Sequence, residues 1–180
     1  MGIHIRTLTI IAASLILAVP TAMAFEVWGF ASGASKAQVL NEARARGDIL
    51  DEKPTATFIL RRDPDSASMT TYVATFCDAR LYSVSKTLEL SDKRYADEKN
   101  ALTTQFGDPT VTAKNESIKN PAGDWEWRTT SNVWLDGDHE IKLVLTEPTG
   151  ETIKRGLVPG LTVAHTDGSI CKRGEKSKED

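Results

Sequence analysis

His165-Thr166-Asp167-Gly168-Ser169 places an imidazole, a carboxylate and a hydroxyl at alternating positions. Nucleophilic hydrolysis needs those three groups hydrogen-bonded in series, with donors aimed at a developing oxyanion. Asp167-Gly168 has the composition of a hairpin turn, which would break the common strand face. No G-x-S-x-G elbow presents Ser169 either. The segment reads as a turn between two short strands. A second cluster, Asp136-Gly137-Asp138-His139-Glu140, gathers three carboxylates and another imidazole. Oxygen-rich loops suit calcium, but the D-x-[DN]-x-[DN]-G spacing is missing, and zinc would need ligands beyond His139 and His165. This cluster reads as a solvated hairpin tip. Neither histidine has a context that would orient it, so replacing both with alanine is expected to leave fold and activity largely intact. No catalytic residue, metal ligand or cofactor is assigned.

Tryptophan offers a different chemistry. Trp28, Trp125, Trp127 and Trp134 are distributed along the chain, and Trp125 alternates with Glu126, Trp127 and Arg128. Exposed, the two indoles could stack on a sugar or a partner peptide; buried, they are core. Burial is the expectation for Trp125 and Trp127, under the helices. That sends Glu126 and Arg128 to the opposite face, where charge would select a partner. These four residues are the candidate partner surface.

The elements that would hold these residues are punctuated clearly. Phe25–Phe30 reads as a strand, followed by a helix that Ser35 and Gln38 open as a capping box and Gly47 closes. Its expected apolar stripe is Ala37, Leu40 and Ala43, with Glu42 and Arg46 as an i,i+4 pair. Strands follow at Thr55–Arg61, Thr70–Phe76 and Leu81–Leu88, with turns at 63–66 and Cys77–Arg80. A second helix begins at Ser91, carries Tyr95, Leu102 and Phe106 on one stripe, and stops at Gly107 before Pro109. Further strands are expected at Asp124–Thr130, Asn132–Leu135, Glu140–Thr146 and Leu161–Lys172, with loops at 120–123 and 147–150. Hairpins dominate, with one parallel crossover open between the first two strands. The fold class is α+β, a two-layer sandwich of a mainly antiparallel sheet with two helices on one face. The two strand–helix–strands blocks could be a diverged repeat.

The N-terminus determines the compartment. Arg6, the apolar run Leu8–Val19 and Ala22-Met23-Ala24 describe a signal peptide over residues 1–24. As a helix that run spans about 18 Å, short of the ~30 Å hydrocarbon core, so no membrane span is expected after cleavage. Residue 25 is Phe, so a lipid-bearing cysteine is not available there. One domain is expected over 25–173 and a disordered tail over 174–180. The net charge of −3, one unit more negative without Arg6, disfavours nucleic acid as a partner. The two cysteines, Cys77 and Cys171, lack C-x-x-C spacing. In an oxidising compartment they are expected to form a structural disulfide.

Val27-Trp28-Gly29-Phe30-Ala31-Ser32-Gly33-Ala34-Ser35-Lys36-Ala37-Gln38-Val39 resembles the strand, glycine, cap and helix entry of BamE-like outer-membrane assembly lipoproteins. Leu102…Phe106-Gly107-Asp108-Pro109 followed by Trp127 is similar to periplasmic proteins of comparable build. The resemblance implies a non-enzymatic envelope protein and carries over no site. The expectation is a periplasmic or secreted binding or accessory protein whose partner is an envelope protein or small ligand. The alternatives are a small hydrolase using His165 or the Asp136–Glu140 loop, and a secreted inhibitor or immunity-type protein.

Overall fold

The computed structural model describes residues 23–62, 68–119, 124–150, 152 and 158–171. Most of the expected signal peptide, the turn expected at 63–66, the loop expected at 120–123 and the disordered tail expected at 174–180 lie outside them.

Ser35 opens α1 (Lys36–Ala45) by accepting the Gln38 amide at 3.2 Å. Gly47, at φ 80°, closes it: Gly47 N donates to Arg44 O and Asp48 N to Ala43 O, the pair of bonds that ends a helix through a left-handed residue. The buried stripe is Val39, Leu40 and Ala43, while Ala37 faces solvent. The expected Glu42–Arg46 pair gives way to Arg46–Asp48 at 3.3 Å, because the helix ends at Ala45 and the turn brings Asp48 back. Ser91 caps α2 (Asp92–Phe106) through the Arg94 amide at 3.1 Å, and Gly107 ends it at φ 82°.

Phe25–Phe30 is a hairpin rather than one strand. β1 (Glu26–Val27) and β2 (Phe30–Ala31) pair across Trp28-Gly29, both left-handed, so no parallel crossover forms. A left-handed turn of two residues matches the twist of a tight hairpin, which is why the chain reverses here. The remaining strands are β3 (Ile49–Glu52), β4 (Ala56–Arg62), β5 (Met69–Cys77), β6 (Arg80–Leu88), β7 (Thr110–Ile118), β8 (Trp125–Asp136), β9 (His139–Pro148) and β10 (Gly160–Asp167). They form one antiparallel sheet in the order β3-β4-β5-β6-β10-β9-β8-β7. The fold is therefore α+β, with α1, α2 and a large antiparallel sheet among the described residues. β3 and β7 escape a periodicity reading because both lie at sheet edges and bury almost nothing. The segments 124–130 and 132–135 are one continuous strand, with the 147–148 loop residues absorbed into β9.

The order is symmetric about the β6–β10 seam. Among the described elements, α1 is followed by β3 to β6 and α2 by β7 to β10, the first strand of each set at an outer edge and the last at the seam. Each helix also has its own apolar cluster. Val39 and Ala43 of α1 join Ile59, Tyr72, Ala74, Phe76, Leu81 and Val84. Tyr95, Leu102 and Phe106 of α2 pack on Leu88, Trp134, Ile141, Leu143, Leu161 and Val163, and Trp28 touches both clusters. Cys77 and Cys171 form a disulfide with 5.7 Å between Cα atoms, tying the end of β5 to the segment after β10. No described helix is long and apolar enough to cross a membrane.

Candidate functional site

One row of residues crosses six strands: Thr57, Ala74, Val84, His165, Ile141 and Trp134 stand opposite one another in turn. All six are buried, so His165 sits mid-sheet in the core rather than at a turn. Asp167 is also within β10, opposite His139, which makes the two histidines diagonal neighbours. His139 Nε2 and His165 Nδ1 lie 2.9 Å apart with the rings stacked at 28°. One nitrogen must donate and the other accept, so one of the two contact nitrogens carries the shared proton.

Aromatic rings enclose the pair. Phe25 lies 5.6 Å from the His139 ring, Phe106 meets that ring edge-on at 6.0 Å, and Trp28 meets His165 edge-on at 5.0 Å. Desolvation holds His139 below its ordinary value, against the pull of Asp136 and Asp167 upward. Desolvation, and then the neighbouring His139, push His165 down to about 4. Burial favours the neutral form of both imidazoles. The solvated tip expected for Asp136–Glu140 is thus corrected at its histidine. His139 is the buried first residue of β9, and Glu140 pairs with Lys142 at 2.7 Å on the other side of the strand.

His165, Asp167 and Ser169 are not hydrogen-bonded in series. Ser169 donates both its hydroxyl and its amide, the latter at 2.9 Å, to the buried Asp167, closing a local turn. His165 turns instead to His139. No group of three metal-ligating side chains occurs among the described residues. An open cleft of about 760 Å³ lies elsewhere, between Met69, Lys86, Leu88, Ser91 and Arg94.

The candidate partner surface divides differently from expectation. In β8 the residues that meet α2 are Trp134, whose Nε1 donates to Gly107 O at 2.8 Å, and Asn132, which donates to Tyr95 Oη at 2.8 Å. Alternation along an unbroken register puts Arg128 and Glu126 on that side, both exposed beyond the helix. Trp125 and Trp127 take the other side, half-buried. Trp127 Nε1 and Thr129 Oγ1 each donate to Glu116 Oε2 at 3.0 Å. The assignment of the two tryptophans to the helix side is therefore reversed, because Trp134, not Trp127, is the core indole. The Lys114 ammonium first, then Thr129 and Trp127, hold the Glu116 carboxyl below its ordinary range.

A ladder of cations on rings was missed by sequence reasoning. Arg61 lies 4.8 Å from the Tyr72 ring and 5.3 Å from Phe30, and donates to Trp28 O at 2.9 Å. Its charge is met by the buried Asp48 at 3.3 Å. Lys86 stands 5.8 Å from both Trp28 and Tyr72. The available signal was parity: Arg61 follows Ile59, and Lys86 follows Val84, at inward-facing positions where charge needs a partner.

No protein-family model, curated protein or solved structure matches the chain.

Proposed function

We propose that the protein is an exported, non-catalytic binding protein of the periplasm or the secreted fraction, a small envelope domain of the BamE-like kind. In this reading residues 1–24 are removed, both helices cover one side of the sheet in a two-layer sandwich, and the other side meets a protein partner. The row of buried residues running from β4 to β8 supports the layering, because side chains of both helices pack against the same clusters as that row. The disulfide supports an oxidising compartment.

The observation that carries the reading is the composition of the uncovered side. Val73 and Thr75 of β5 stand opposite Ser85 and Ser83 of β6, and the series continues through Ala164 and Thr166 of β10. Its hydroxyls are already partly engaged, as between Ser83 and Thr166 at 3.0 Å. Glu140 and Lys142, the next residues across on β9, neutralise each other. Trp125 and Trp127 end this side on β8. A broad surface of short side chains and paired charge, with two held indoles at its margin, fits a polypeptide that lies across the strands. A hydrolase using His165 or the Asp136–Glu140 loop has less support, since Ser169 is engaged by Asp167.

A photo-crosslinking side chain placed at Ser85 or Ser131 tests this in the envelope fraction. Discrete adducts with one protein are expected from both positions and none from Gln38 on the exposed side of α1. Adducts from Gln38 alone would move the binding surface to the helices.

A further inference from the structure

The two ends of the sheet are treated differently. β3 is four residues long and carries Asp51 and Glu52, the latter paired with Arg44 of α1 at 2.6 Å. Short, charged, attended edges resist pairing with another chain. β7 runs nine residues with no proline and no glycine, and only Glu116 on it is even half-buried. Val111 and Ile118 are more than half exposed. Among the described residues β7 pairs with β8 alone.

We propose that β7 is a docking edge for the β7 strand of a second copy of this chain, joining two sheets in antiparallel register with Asn115 on the two-fold axis. Residues directly opposite each other in an antiparallel pair point to the same side of the sheet. A two-fold axis normal to the sheet preserves the sides, so some residue must face its own copy. The charges select which one. Centring on Lys114 sets two ammonium groups together, and centring on Glu116 sets two carboxylates together. Centring on Asn115 sets each Lys114 opposite the other chain's Glu116, twice over. Lys114 and Glu116 already bond at 2.6 Å within one strand. Across the axis they form an alternating ring of four charges. Glu116 is held in position for this by Trp127 and Thr129. The lysine that would repel a partner in one register thus specifies another. Lys114 and Glu116 face the uncovered sheet side, Glu116 standing opposite Trp127, and in the pair that side becomes continuous between the two copies.

Sedimentation velocity of the purified protein over the micromolar range provides the test. A reversible dimer is expected, weakened by salt. Lys114→Glu should raise its dissociation constant by about tenfold or more, since two favourable pairs become two repulsive ones. Glu116→Lys should do the same, and an equimolar mixture of the two variants should recover a mixed dimer. A wild-type monomer at every concentration would overturn the proposal, as would a dimer indifferent to Lys114→Glu. Failure of the mixture to associate, with both variants folded by circular dichroism, would overturn the register. If Glu116→Lys does not fold, Lys114→Glu alone decides, because Lys114 is exposed and outside either core cluster.

Discussion

A proton added to the His139–His165 pair has nowhere favourable to go. The first converts a neutral pair in an aromatic enclosure into a buried cation, and a second would bring two N–H groups head to head. In the unfolded chain each ring takes up its proton near 6.5, whereas His165 does so only near 4 in the folded protein. The unfolded state therefore binds more protons between those values, and acid favours it. Stability should be complete above about pH 6.5 and fall as pH drops from there toward 4, by on the order of 1–3 kcal/mol. Urea unfolding followed across that range should show the decline, and His165→Gln should flatten it. The double variant His139→Ala, His165→Ala should lose the slope and also fold less stably, by roughly 2–4 kcal/mol. That reverses what the sequence alone suggests. Each histidine is preceded and followed by ordinary strand or turn residues, so nothing local announces a contact spanning 26 positions. The diagonal relation arises only once β9 and β10 pair.

At the scale of elements, helices were legible and strand edges were not. Ser35, Gly47, Ser91 and Gly107 each act through a bond to the nearest turn, and such bonds depend on residues within about four positions. The central strands announce themselves through β-branched and aromatic runs. β7 and β3 do not, because alternation records burial on one side and an edge strand has little burial to record. Strand β8 shows the cost of the opposite error, in which two tryptophans at spacing two suggest a core face. Bulk alone does not choose between sides; the pairing of Trp134 with Ile141 does. Trp134→Ala should accordingly cost about 3–5 kcal/mol, as truncation of a core aromatic does. Trp127→Ala should cost nearer ~1–2 kcal/mol, its half-buried ring and one hydrogen bond being lost. Denaturant titrations of the two variants check the order, and a larger loss at Trp127 would return it to the core.

At the scale of the whole molecule, the half that begins with α1 and the half that begins with α2 meet along β6 and β10, and that seam carries much of what joins them. The disulfide adds a covalent tie across it, and the cysteine count made this pairing readable in advance. Cys171→Ser should lower stability by roughly 2–5 kcal/mol, as removal of a bridge closing a long loop does. Thermal melts with and without reductant should then converge for the variant and differ for the wild type. The symmetric strand order was less legible, because the two halves share a pattern of elements but almost no residues.

The same bridge sets how the molecule would respond to being pulled. Cys77 and Cys171 are 94 positions apart, so α2 and every strand from β6 to β10 belong to a covalent ring. Tension applied at the chain ends passes through the sulfur atoms and bypasses that ring, while α1 and β1 to β5 bear the load and extend. The ring withholds roughly 330 Å of contour length until the bridge is reduced. An optical-trap experiment should record that length as a single added extension when reductant is introduced.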